Sequence, residues 1–426
     1  MAKYTQLLSL YAESIKTPVL RNKILFTLGL LLAFRFIAHI PVPGVNLDLL
    51  KEFFAQNQIL SLLNIFSGGT LANFSIAALG LQPYIQASVI IQLFALVNPR
   101  LDELRKEGEY GRQKMNQYMR ILTVPIAFVQ AFVMYSLLRS QNIITSLSPI
   151  TIIALLCSMV AGTMIMLFFA ELINNYGLGN GTSMLIFAGI VASIPASVLQ
   201  TVTVADFSNP QTLANFIAFL LVICVLIAGV VFVEEAVLRV PIHYANRGQK
   251  TYMPVKIDTA GVMPIIFAVS LATSPSLLGQ YLAQTTNPQL IQIGQTLSRL
   301  FATTHPLYII FYFSLVVAFT FFYTQVVFKP KEVSEELRKS GGFIPGVRPG
   351  IATEHRLQYI TNRLMLVGGI FLGLIAVLPT LAQIATGITT LTVGGTSVLI
   401  GVSVIIELTK RIENVVQMYR YERLSY

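Results

Sequence analysis

The residues whose placement most suggests chemistry in this chain are isoleucines, and their chemistry is the exclusion of water. Gly-x-x-Pro-x-Ile-x-Ala begins at Gly80 and again at Gly261, and Gly-Thr-Ser-x-Leu-Ile begins at Gly181 and again at Gly395. The phrases set Ile85, Ile266, Ile186 and Ile400 at equivalent places. Branched aliphatic side chains gathered around an axis bind no ion and resist wetting, so they close a passage without any specific site. They grip whatever passes only weakly and without hydrogen bonds, which suits a large and chemically varied substrate.

Conventional reactive groups are sparse. The four histidines, His39, His243, His305 and His355, lie in separate segments, and there is no His-Glu-x-x-His, no Gly-rich loop ending in Lys-Ser/Thr and no Gly-x-Ser-x-Gly elbow. Cys157 and Cys224 sit inside apolar stretches without metal-ligand neighbours, which predicts packing roles rather than disulfide or zinc chemistry. Glu171, Glu234, Glu235 and Glu407 fall at the ends of apolar stretches, where a carboxylate reaches water, and Arg35 and His39 are expected to snorkel toward an interface. No cofactor, metal or enzymatic activity is expected.

The elements that position these residues are membrane helices. The chain is 54% hydrophobic and 11% charged. Apolar runs of about 20 residues, enough to cross a ~30 Å hydrocarbon core, recur along it. Spans are predicted near 24–40, 76–97, 121–138, 150–170, 183–203, 213–233, 261–283, 307–328, 366–386 and 393–408. The loops that would share one side with both termini hold 25 of the 29 Lys and Arg residues, which puts both ends in the cytoplasm. The same topology accounts for most of the net charge of +10. The polar, basic first 23 residues and the lack of a small-residue cleavage pattern predict that span one is retained.

Numbered along the chain, the first pair of phrases falls on spans two and seven and the second on spans five and ten. A five-span unit used twice must run oppositely the second time, which predicts an all-α membrane protein of ten transmembrane helices in two inverted halves, residues 1–205 and 206–426. An ion-coupled transporter or lipid scramblase on the same plan would need polar or ionisable groups at mid-depth, and the spans offer almost none. An inert scaffold leaves the repeated phrases without a purpose.

Two further features carry information. Ile59 to Phe66 is a mainly apolar run followed by Ser67-Gly68-Gly69, too short to span, and reads equally as a re-entrant plug or an interfacial helix on the outer face. The loops 234–260 and 329–363 are long and basic; in the second, Pro330 to Lys339 reads as a helix stopped by Gly341-Gly342, then Pro345 to Gly350 as a rigid turn with Arg348 at its tip. An arginine so fixed can address a carboxylate or phosphate on a partner.

Along essentially its whole length the chain resembles the SecY/Sec61-alpha family of protein-conducting channels. The likeness rests on Pro41-Val-Pro-Gly44, Asn64-Ile-Phe-Ser-Gly-Gly69, Ala78-Leu-Gly-Leu-Gln-Pro-Tyr-Ile85, Ile90-Ile-Gln-Leu93, Gly179-Asn-Gly-Thr-Ser-Met184, Ala260-Gly-Val-Met-Pro264, Phe343-Ile-Pro-Gly-Val-Arg-Pro-Gly350 and Gly394-Gly-Thr-Ser397. The resemblance implies a central hourglass pore ringed by Leu81, Ile85, Ile186, Ile190, Ile266 and Ile400. It implies a plug that includes Leu62, Leu63, Asn64, Ile65, Phe66, Ser67, Gly68 and Gly69. Spans two and seven would wall a lateral gate, with Gln86, Gln92 and Ser274 along it and a hinge near Asp206 to Pro210. Arg247, Lys250 and Arg348 would be cytoplasmic docking residues.

The partners implied are small SecE- and SecG-like membrane subunits, the SecA motor ATPase, the ribosome, signal-sequence-bearing polypeptides and the phospholipid bilayer. The location implied is the bacterial plasma membrane. Two departures stand out: the loop between Tyr244 and Tyr252 is shorter than the family's, and Gln82 stands where an apolar residue is common.

Overall fold

The computed structural model describes residues 18–42, 45, 49–50, 64, 67, 69–71, 73–141, 143–144, 148–204, 210–244, 250–257, 261, 263–285, 287–386 and 395–424. Its elements are α1 (Pro18–Ile37), α2 (Gln82–Val97), α3 (Pro99–Lys106), α4 (Glu109–Ser140), α5 (Pro149–Tyr176), α6 (Gly181–Val204), α7 (Pro210–Glu235), β1 (Val237–Tyr244), β2 (Lys250–Lys256), α8 (Met263–Leu282), α9 (Pro288–Leu300), α10 (Pro306–Val327), α11 (Pro330–Lys339), β3 (Gly342–Phe343), α12 (Ile351–Thr386) and α13 (Gly395–Leu424). Several helices start on a proline preceded by a capping side chain. Ser148 accepts from the Thr151 amide, Asn287 from Gln289 and His305 from Leu307. Proline at the first helical position gives up an amide that has no partner there anyway.

A helix covers most of each of the ten apolar stretches among the described residues. Among the described residues six helices, α4, α5, α7, α8, α10 and α12, are long and apolar enough to cross a membrane, while α2 and residues 181–195 of α6 form shorter apolar helices. Within the α7 span only 18% of the most apolar window is buried inside the protein, so its outer surface needs a nonaqueous solvent. The molecule is a membrane protein. Cys157 and Cys224 are both exposed, a correction to the packing role expected of them: they face outward from apolar helices. Helix α2 begins at Gln82 rather than near 76, because residues 76–81 form turns that end in the left-handed Gly80.

Helix α8 packs on α2, α9 and α10, α2 on α4, and α13 on α6, α7 and α12. Outside the helical bundle, the two basic loops meet in one antiparallel sheet of order β2-β1-β3, with Val240 opposite Met253 and His243 opposite Phe343. Val240, Val255, Ile344 and Leu357 give this sheet a small core. The sheet was not foreseen. It arises because β1 and β2 carry β-branched residues on an inward face while their polar neighbours face water.

Candidate functional site

The apolar residues singled out by the repeat sit on four different helices, Ile85 on α2, Ile186 and Ile190 on α6, Ile266 on α8 and Ile400 on α13, with Leu81 one residue before α2. All six are at most 4% exposed and belong to one continuous apolar cluster. Ile85 and Ile266 also line a cavity of about 740 Å³ whose other walls are mainly polar, including Gln92, Asn116, Asn174, Asn180, Glu171 and Arg120, with Met119, Met263 and Phe267 beside the isoleucines. Arg120 pairs with Glu171 at 2.6 Å across its wall. A wet chamber therefore ends on a dry aliphatic floor, and a floor of this kind stops ions without binding them.

Beyond the floor, α2, α4 and α8 bound a second, apolar crevice of about 390 Å³. Gln82 lines this crevice rather than the polar chamber. Three neutral side chains meet along it: Gln130 Nε2 donates to Gln86 Oε1 at 2.6 Å, and Gln86 Nε2 donates to Ser274 Oγ at 3.4 Å. The expectation that the spans hold almost no polar groups at depth thus needs correcting, because these three link α4 to α2 and α2 across its seam with α8. Gln130 was missed, although a glutamine inside Ala-Phe-Val-Gln-Ala-Phe-Val is itself a signal. Gln92 lies elsewhere, on the polar chamber, where its buried Oε1 has no partner among the described residues.

Of the plug residues expected from the sequence, Leu62, Leu63, Ile65, Phe66 and Gly68 lie outside the described residues, while Asn64, Ser67 and Gly69 are placed. Ser67 Oγ donates to the Asn64 carbonyl and accepts the Leu71 amide. The fully buried Thr70 hydroxyl lies 2.8 Å from both the Ser67 and the Ala77 carbonyl oxygens, tying this segment to the turn before α2. A Cβ at Gly80 would lie 2.7 Å from Ser67 Cα, so only glycine lets the two backbones meet. Arg35 does not simply reach outward: its guanidinium comes within 3.9 Å of where a Gly69 Cβ would be.

Arg348 is exposed on a turn held at both sides. Thr353 Oγ1 donates to the Arg348 carbonyl at 2.9 Å, Ser334 Oγ donates to the Gly350 carbonyl at 2.8 Å, and Gly346 and Gly350 take the left-handed backbone that the turn needs. Lys250 opens β2, opposite His243 of β1, and Arg247 lies outside the described residues. The carboxylates expected to reach water divide: Glu234 is buried, and Lys410 Nζ donates to its backbone carbonyl at 2.9 Å.

A family model described as SecY matches residues 75–409. A protein translocase subunit SecY from Streptomyces galbus is 39% identical over 443 aligned residues, covering 98% of this chain and 99% of the relative. Two solved structures share the fold over 92% of this chain and of their own. One, reported for the SecY plug domain that stabilises the closed state of a translocation channel, has a TM-score of 0.71 at 20% identity. The other, Sec61 in a canine ribosome-channel complex from the endoplasmic reticulum, has a TM-score of 0.63 at 19% identity.

Proposed function

This chain belongs to the SecY family, and on that premise we propose that it is the channel subunit through which unfolded secretory polypeptides cross the bacterial plasma membrane and from which apolar segments leave sideways into lipid. One observation carries the reading: Leu81, Ile85, Ile186, Ile190, Ile266 and Ile400, drawn from both halves of the sequence, lie in one buried apolar cluster that floors a polar chamber. A collar of this chemistry excludes ions at rest and offers a passing chain no fixed partner.

Ten helices in two inverted halves, residues 1–205 and 206–426, span the bilayer with both termini in the cytoplasm, as the distribution of Lys and Arg supports. The seam between α2 and α8 is the lateral exit, latched by Gln86, Gln130 and Ser274. Sorting there follows solvent preference. About 20 residues such as Leu or Ile gain roughly 6–12 kcal/mol in the bilayer, while one Asp, Lys or Arg costs ~2.5–3.5 kcal/mol. The segment through Ser67 seals the outer side.

Arg348, with Arg247 and Lys250 of the other basic loop of the sequence, docks the SecA motor or the ribosome, and SecE- and SecG-like subunits complete the assembly. The chain itself catalyses no reaction; the work comes from the partner or from the membrane potential. The decisive experiment places a photo-crosslinker at Ile190. Attachment to an arrested secretory chain is expected, and its absence while the same chain crosslinks to lipid-facing positions would overturn the channel reading.

A further inference from the structure

Helix α9 joins α8 to α10 at the end of the bundle away from the basic sheet, and its sequence is two-faced. Leu290, Ile293, Leu297 and Leu300 fall along one side, while Gln289, Gln292, Gln295, Thr296 and Arg299 fall along the other. Most amphipathic helices bury their apolar side in their own protein. This one does so only at its edge, where Gly294 is buried against α8, while Leu290 is 36% and Ile293 50% exposed.

The contact with α8 is unusually close. A Cβ at Gly279 of α8 would lie 2.8 Å from the Gly294 carbonyl oxygen, and a Cβ at Gly294 would lie 2.7 Å from the Gly279 carbonyl oxygen. Backbones that touch without intervening side chains leave no layer that can slide, so α8 and α9 act as one body.

We infer that α9 is a membrane-surface anchor for α8, lying in the interface of the leaflet opposite the basic loops with Leu290 and Ile293 among the acyl chains. Lipid is the occupant because both helices that α9 connects also expose apolar residues near the ends it joins, Leu278 on α8 and Leu307 and Ile310 on α10. A helix with an apolar stripe and an opposite side of glutamines, Thr296 and Arg299 sits stably at that depth. Because α8 carries Ser274 of the seam and Ile266 of the collar, the anchor makes the position of this wall depend on the bilayer surface. The inference rests on membrane residence, not on what passes through the molecule, so it can be read even if crosslinking at Ile190 fails.

The test uses the full chain with C157S and C224S, carrying a nitroxide in turn at Leu290, Gln292, Ile293 and Gln295, in vesicles of phosphatidylethanolamine and phosphatidylglycerol. Labels at Leu290 and Ile293 should collide preferentially with oxygen, and those at Gln292 and Gln295 with a water-soluble nickel chelate. Equal nickel access at Ile293 and Gln292 overturns the inference, as does shielding of Ile293 from both reagents, which would mean a protein cover.

Anchoring is tested by Gly294→Ala. It forces the backbones apart and should slow disulfide formation between cysteines at Gln86 and Ser274; an unchanged rate makes α9 a passenger. If that variant fails to accumulate in membranes, Ile293→Glu leaves the glycine contact intact and is read the same way.

Discussion

Gly80 and Gly261 hold the same place in the two copies of one phrase. Both have left-handed backbones, φ +56° and +64°, and each is followed two residues later by a helix whose second residue is a buried proline. Their surroundings differ. Gly80 is pressed against the backbone of Ser67, whereas among the described residues nothing lies within 4 Å of a Cβ built on Gly261, which borders an open cavity of about 490 Å³. Both copies keep the turn, the proline and the isoleucine two residues after it, because these depend on local backbone geometry. What each copy packs against differs: the first copy seats the segment through Ser67, and the second has room for a side chain beside its glycine among the described residues.

The strongest way to break this contrast is to join the copies. Cysteines at Gln86 and Ser274, whose native side chains already touch, should form a disulfide across the seam and abolish secretion of a signal-bearing protein, with recovery on reduction. Full transport with the bridge quantitatively closed would remove the seam from the mechanism. Next in size is the collar. Replacing Ile85, Ile190 and Ile266 together by Ser should raise the resting conductance of the channel in planar bilayers, since both bulk and dewetting are lost. Single changes at Ile85 and Ile266 should leak alike, as expected of repeat-equivalent positions. A leak from Ile85→Ser alone would show that the divergence reaches the collar itself.

The shared apolar cluster proposed as the collar is legible in the sequence because a repeated phrase marks equivalent places whatever surrounds them. Ile85, Ile186, Ile266 and Ile400 stood out before any neighbour was known, and Leu81 and Ile190 followed from family likeness. The helix over Pro330 to Lys339 and the turn around Arg348 were legible for a different reason, since proline, glycine and charge punctuate them locally. What stayed hidden is what one segment does to a distant one. The partnership of Gln130 with Gln86 spans 44 residues, the burial of Glu234 depends on a helix that begins at Gly395, and β3 joins β1 with Phe343 opposite His243, 100 residues away. Local pattern carries no information about such pairings.

The glycines themselves give a smaller but sharper effect. Alanine at either position pays about 1–2 kcal/mol for a left-handed L-residue. Only at Gly80 does the new methyl group also strike a backbone, 2.7 Å from Ser67 Cα, so Gly80→Ala should displace the sealing segment and leak ions. Gly261→Ala should lower thermal stability by a similar local amount while the closed channel stays tight. Equal leak in both would mean that the close approach of Ser67 contributes nothing to sealing.

The smallest structural disturbance with a measurable consequence is expected at Arg348, which has no counterpart in the first half and so probes the divergence at its furthest point. The side chain is exposed and its turn is fixed by backbone carbonyls that accept from Thr353 and Ser334, so Arg348→Glu removes none of the bonds that hold the loop. Stability should change by no more than about 0.5 kcal/mol. Binding of SecA or of ribosomes to reconstituted vesicles should weaken by about 2 kcal/mol or more, roughly 30-fold in Kd, as for an arginine at the centre of an interface. Unchanged affinity would reduce this loop to a topological signal. Loss of binding with an intact melting curve would mean that the second copy gained its docking surface outside the membrane, on the sheet that the first copy lacks among the described residues.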